Sequence, residues 1–345
     1  MKVFVNATIV AALGVFFALG ANNVIAQEQT TLEKVKERGQ VNCGVGTGLA
    51  GFALPDANGD WQGLDADYCR ALAAAIFDGD ATKVKFVALT AKDRFAAIQA
   101  GQVDLLARTT TWTMSRDTAN GLNFRVINFF DGQGFLVRED SGITSAKELD
   151  GASICLTQGS TAEQNTSDYF RANGMTYNPV TFATSSETVK AYENARCDSY
   201  SNDSSALYGE RQRMADPAAH IVLPDIISRE PLAIGTLQGD DQWMDITSWL
   251  HYAMLTAEAN GVTRANVDSL LTSENPEIRR LLGVEGDVGT LLGLSKDWAY
   301  NAIKAVGNYG EVFDRNLGSG SSLNISRNQN ALWKDGGLQY APPMR

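Results

Sequence analysis

Histidine is almost missing from this chain: His220 and His251 are the two present in 345 residues. Cysteine is held to four, with no C-x-x-C pair and no Cys/His cluster. A zinc site therefore has no ligand set to draw on, and the commonest general base is scarce. His220 follows Pro217 ahead of an apolar strand, and His251 lies beside a tryptophan stripe on a helix, so both read as packing residues. There is no G-x-S-x-G elbow and no P-loop. After residue 26 no stretch approaches the ~18 uncharged apolar residues of a spanning helix, so the mature chain is not expected to insert into a membrane. Positive charge is also short. Setting Lys2 aside, 28 basic residues face 40 acidic ones, a net charge of −12. That field repels nucleic acid and anionic membrane surfaces.

The first 26 residues read as a secretory signal. Lys2 is their one charge, Ile9 to Ala21 is an apolar core, and Val24-Ile25-Ala26 has the small-residue pattern of a cleavage site. The mature chain, about 319 residues, exceeds one simple core and is expected to form two lobes. All four cysteines, Cys43, Cys69, Cys155 and Cys197, survive into it. An even count in an oxidising compartment implies two disulfides. Of three pairings, Cys43–Cys69 with Cys155–Cys197 is favoured because each bridge stays within one lobe. Each would stabilise by about 3–4 kcal/mol.

Gly46 to Gly51 read GTGLAG, a literal G-x-G-x-x-G, and the acids Asp65 and Asp67 follow at about the ~20-residue spacing of a dinucleotide fingerprint. The next residues decide against that reading. FALPDANGDWQG carries Pro55 and Asn58-Gly59, which specify a hairpin. A pyrophosphate needs a helix N-terminus there. The glycines instead let backbone approach a ligand or bend tightly, and no cofactor is expected.

Downstream, elements alternate. Strand 41–45, helix 65–77, strand 84–89, helix 91–101 and strand 103–107 form a βαβαβ run, which implies a parallel sheet with right-handed crossovers. A second cycle begins at 135–139 and continues through strand 152–157, a helix from Ser160, strand 180–183, helix 186–195 and strand 197–202. Capping boxes are expected at Ser145/Glu148 and Ser160/Glu163. Residues 231–236 read as a strand returning to the first lobe, and 241–261 as a long amphipathic helix.

Three stretches carry candidate chemistry. RTTTWTMSRD (108–117) follows a strand end, where open α/β sheets bind ligands. Its threonine hydroxyls accompany Arg116, whose planar fork matches a carboxylate. QGSTAE (158–163) places Ser160 at a helix N-terminus, a ready anion site. CDSYSNDSS (197–205) ends a strand with Asp203, a carboxylate placed to hold an ammonium.

Together and in this order, these stretches resemble the family 3 solute-binding proteins of bacterial ABC importers. GLDADYCRALAAAI (63–76) is close to that family's signature, departing at Ala66 and Tyr68, and the match covers about residues 32–260. Within the family the likeness is to the periplasmic general L-amino-acid-binding proteins of proteobacteria. TTTWTMSRDTANGLNF, DGQGFLV, RCDSYSND, GDDQW and GLQYAPPMR carry it.

The resemblance implies a type II periplasmic binding protein fold: two parallel-sheet α/β lobes joined by a two-strand hinge. After the signal (1–26), lobe 1 would comprise 27–135 plus 232–345, and lobe 2 136–231. The ligand would be an L-amino acid and the partners the transmembrane permease subunits of an ABC importer. Arg116, helped by Thr109 and Thr111, would bind the α-carboxylate; Ser160 and Thr161 would add donors from lobe 2; Asp203 would bind the α-ammonium; Asp65 would order the cleft. Gly46 and Leu49 stand where cation-selective relatives place an acid and an aromatic, which implies a permissive pocket lined by Phe52, Trp61, Trp112 and Phe135. The rival class is a periplasmic dehydratase-like enzyme on the same fold. It would need a poised acid or base in the cleft, where only acids and hydroxyls are expected.

Overall fold

The computed structural model describes Met1 and residues 29–345; the expected signal peptide otherwise lies outside the described residues. Helix α1 (Thr31–Arg38) opens on a capping box between Thr30 and Glu33 and stops at Gly39. β1 (Val41–Val45) follows. Then comes the hairpin of β2 (Leu54–Pro55) and β3 (Trp61–Gln62), antiparallel as Pro55 and Asn58-Gly59 predict. α2 (Leu64–Ile76), β4 (Val84–Ala88), α3 (Arg94–Gln99) and β5 (Leu105–Thr111) complete the first alternating run. β5 is longer than expected and carries Thr109 to Thr111 on the strand itself. After α4 (Met114–Thr118) comes β6 (Leu122–Asp131), a strand absent from the expectation.

The chain then enters the second lobe with β7 (Gln133–Arg138), β8 (Ser153–Thr157), α5 (Thr161–Ala172), β9 (Asn178–Phe182), α6 (Ser185–Glu193), β10 (Ser199–Asp203), α7 (Ser204–Arg211) and β11 (His220–Val222). β12 (Glu230–Leu237) returns it to the first sheet, and α8 (Asp241–Ala259) packs there. α9 (Pro276–Leu281), α10 (Val288–Leu291), α11 (Trp298–Val306) and α12 (Tyr309–Asn316) follow.

Two five-stranded sheets result, ordered β4-β1-β5-β12-β6 and β11-β7-β10-β8-β9. Each holds a parallel trio, then one antiparallel strand, then a strand antiparallel to that one. The sheets are therefore mixed where the sequence pattern predicts parallel ones. The reversed strands, β7 and β12, are the ones reached by crossing between lobes. The first change of sheet falls between Asp131 and Gln133, earlier than residue 135. The return precedes Glu230.

Both sheets are covered on both faces, as buried parallel strands require. In the first lobe Leu105 and Ala107 face a core shared with α2, α8 and α11, which buries Trp243 and Trp298. Leu106 faces the other side, with Ile98 and Phe124. In the second, Phe135 packs with Ile154 and Phe170, while Leu136 packs with Tyr192 and Tyr200. The disulfides are Cys43–Cys69, joining β1 to α2, and Cys155–Cys197, joining β8 to the turn before β10; their Cα atoms lie 6.2 and 5.6 Å apart. Neither expected capping box forms. Glu148 instead accepts from Thr144, and Glu163 from the Gly159 N–H.

β6 is the outer strand of the first sheet. Side chains from α8 onward bond its backbone: Asn330 takes the Phe130 N–H at 2.7 Å and donates to the Phe130 carbonyl at 2.9 Å, Gln339 donates to Ile127 and Tyr309 to Asn128.

Candidate ligand-binding cleft

The ends of β5 and β10 and the N-terminus of α5 converge between the lobes on a cleft that is partly open to solvent. Gly46 to Leu49, Arg94, Arg108, Thr109 and Thr111 line it from the first lobe. Thr157, Ser160, Thr161, Ser185, Asn202 and Asp203 line it from the second. The lobes touch beside it: a Cβ on Gly159 would come within 3.0 Å of the Lys92 Cα.

Three arginines gather on the first-lobe wall. Arg94 donates to the Ala91 carbonyl and the Thr110 hydroxyl, Arg108 to the Leu89 carbonyl, and Arg116 through Nη1 to the Thr111 carbonyl at 2.9 Å. All are buried, and among the described residues none has a carboxylate oxygen within 4 Å. Arg116 is not among the lining residues; it lies behind Thr111, with its guanidinium 5.4 Å from the Phe95 ring centroid. Burial and mutual repulsion push the Arg94 guanidinium well below its usual range and Arg108 down to about 10. Burial also lowers Arg116, against the charges of Glu230 and Asp203.

Asp203 opposes them from the end of β10. Among the described residues its carboxylate has no hydrogen-bond partner, and burial, then the charges of Asp131 and Glu230, hold its carboxyl well above the ordinary range. Asp131, at the hinge, is raised to about 6, chiefly by burial, while Ser205 and the Gly132 N–H bond it. Asp65 is buried behind the cleft. It accepts from the Thr109 N–H at 3.2 Å and from Asn128 at 3.1 Å, and burial outweighs those bonds to raise it to about 7. The Thr109 it holds has φ 43°, a left-handed conformation rare for a β-branched residue.

Ser160 is the N-cap of α5, but its hydroxyl donates back to the Thr157 carbonyl at 2.6 Å. The hydroxyls of Thr111 and Thr161 both donate to Glu230 Oε2, at 2.5 and 2.9 Å. The sequence reading of the aromatic pocket is corrected here. Phe52 is buried against Phe129, Trp61 packs on Phe86, and Phe135 lies in the second-lobe core. Trp112 stacks on Phe124 and lines a separate surface depression with Tyr252 and Tyr340. None is among the residues that line the cleft. The residues sequence reasoning missed are Arg94, Arg108 and Glu230. Arg108 gave a signal, a charge inside the buried strand LLARTTT; Arg94 and Glu230 gave none.

Residues 41–316 match the family model for bacterial extracellular solute-binding proteins, family 3. The chain belongs to that family. Over 343 residues this solute-binding protein is 53% identical to the general L-amino acid-binding periplasmic protein AapJ of Rhizobium johnstonii, covering 99% of each. It is 50% identical over 329 residues to the glutamate/glutamine/aspartate/asparagine-binding protein BztA of Rhodobacter capsulatus, covering 95% of this chain and 97% of that one. A solved Brucella ovis periplasmic binding protein with glutathione bound shares 55% identity at a TM-score of 0.90, covering 92% of this chain and all of the other. The relatives are binding components, which leaves the dehydratase-like alternative without support. No described helix is long and apolar enough to cross a membrane.

Proposed function

We propose that this solute-binding protein captures polar L-amino acids in the periplasm and delivers them to the permease subunits of an ABC importer. Residues 1–26 would be its export signal, removed on secretion. One observation carries the reading: an interlobe cleft with unpaired guanidinium groups on one wall and an unpaired carboxylate, Asp203, on the other. An α-amino acid presents the complementary charges at one end. Arg116, set back behind Thr111 in this structure, would turn from the Thr111 carbonyl into the cleft to hold the α-carboxylate together with backbone N–H groups of β5 and α5, and Asp203 would hold the ammonium. The lobes, 29–131 plus 230–345 and 133–228, would close over it by bending at the two crossings.

One α-carboxylate uses one guanidinium, and Arg94 and Arg108 remain. Their unspent charge favours ligands that add a second carboxylate or an amide oxygen beyond the zwitterion. The names of the BztA relative and the glutathione-bound neighbour accord with this. A thermal-shift screen of the twenty L-amino acids and glutathione tests the function, because a ligand that binds only the folded form raises Tm. Glutamate, glutamine, aspartate and asparagine are expected to give the largest shifts. A screen in which no amino acid moves Tm, checked by calorimetry, overturns the proposal.

A further inference from the structure

Glu230 opens β12 at the return crossing and is buried at 2% exposure. It accepts four hydrogen bonds from neutral groups. Oε2 takes the hydroxyls of Thr111 and Thr161; Oε1 takes the Asn165 amide and the Ser228 hydroxyl, the latter at 2.7 Å. Thr111 belongs to the first lobe, and Thr161 and Asn165 to α5 of the second. The carboxylate is thus shared between lobes where both crossings meet.

The hydrogen-bond inventory of a hydroxyl turns this into a statement about ligands. Threonine has one O–H proton and two lone pairs, whereas a carboxylate only accepts. With their protons committed to Oε2, Thr111 and Thr161 have only lone pairs left for the cleft they line. Lone pairs attract an ammonium and repel a carboxylate. The Thr111 and Thr161 hydroxyl oxygens, 3.4 Å apart, join Asp203 on the cleft wall. The expectation that Thr111 and Thr161 donate to a ligand is reversed for their side chains.

We infer that Glu230 is a positioning residue that selects the α-ammonium: by fixing two hydroxyls as acceptors it sets which end of the zwitterion lies beneath them, and it does so only when the lobes are closed. On opening, the second-lobe Thr161 and Asn165 leave the carboxylate, and Thr161 regains a free proton. The acceptor site is assembled by closure, so recognition of the ammonium and closure are one event.

This rests on the amino-acid reading of the cleft, and the experiment separates the two. Calorimetric Kd values would be measured for L-glutamine and L-glutamate, and for their des-amino analogues, glutaric acid monoamide and glutaric acid. The wild type should prefer each amino acid strongly over its analogue. Glu230→Gln gives Thr111 and Thr161 an amide that can donate to them, freeing their protons. The preference should shrink by about tenfold or more, as expected for hydrogen bonds to a charged group. Thr161→Val, which leaves Glu230 in place, should shrink it by several fold and keeps the test open if Glu230→Gln does not fold. A purely structural role would weaken amino acid and analogue alike. An unchanged ratio in a folded variant overturns the inference while leaving the amino-acid site intact. Absence of any wild-type binding overturns the site reading itself.

Discussion

The two lobes share a strand pattern and a disulfide each, yet divide the cleft chemistry unequally. The first supplies Arg94, Arg108 and Arg116, held by backbone carbonyls and a neutral hydroxyl with no ion pair among the described residues. The second supplies Asp203 and the N-terminus of α5. The first also has the larger core, built with α8, α11 and α12, whereas the second packs two smaller clusters on its sheet faces. Concentrated like charge is costly to bury, and the heavier scaffold carries it. The lighter lobe brings one countercharge and donors, which suits it to move.

The contrast is broken most severely by removing a first-lobe cation. Arg116→Ala should weaken glutamine or glutamate binding by about 3 kcal/mol or more, over a hundredfold in Kd by calorimetry. An unchanged Kd would remove Arg116 from the site. Removing either disulfide comes next. The loops they close, 26 and 42 residues in sequence separation, are similar in entropic terms. Each double Cys→Ala variant should therefore lose about 3–4 kcal/mol in denaturant unfolding. The Cys155/Cys197 variant should show the second lobe opening first, visible as earlier amide exchange in β8–β10, because that lobe has less core to fall back on.

A smaller effect follows from the buried acids. Asp65 and Asp131 titrate near 7 and 6 in the folded protein, above their ordinary value of 3.8. The unfolded chain thus loses these protons first as pH rises, and their contribution to stability is full below about 4 and lost through 6 to 7. Unliganded Tm should fall across that window, and Asp65→Asn should flatten the fall by a few degrees. A wild-type profile rising through the same window would contradict the burial assigned to both. Least of all, Gly46→Ala should change stability by under about 0.5 kcal/mol, since a Cβ there meets nothing within 4 Å. The same change at Gly63, with φ 127° and the Phe52 carbonyl 2.1 Å from the added carbon, should be severe by thermal melting.

Much of this was legible because local chemistry and tertiary fate coincided. Pro55 and Asn58-Gly59 made the hairpin, and the spacing of Cys43, Cys69, Cys155 and Cys197 matched one bridge per lobe. β6 was missed although Leu122, Phe124, Val126 and Asn128 alternate inward; Asn128 breaks the apolar signal because it turns to a partner, Asp65, remote in sequence. The aromatic pocket failed for a related reason. Residue type told that Phe52 and Phe135 seek burial but not beneath which surface. Glu230 was invisible because its meaning lies in four donors from four separate positions.

The side chains that bind the backbone of β6 have a consequence beyond the hinge. An outermost strand of ten residues, itself rich in apolar side chains, is a template on which another chain could add itself. Asn330 answers both polar groups of Phe130 as a neighbouring strand would, and Gln339 and Tyr309 occupy carbonyls farther along. The carboxy-terminal region thus occupies polar groups of β6 that an added strand would otherwise pair with.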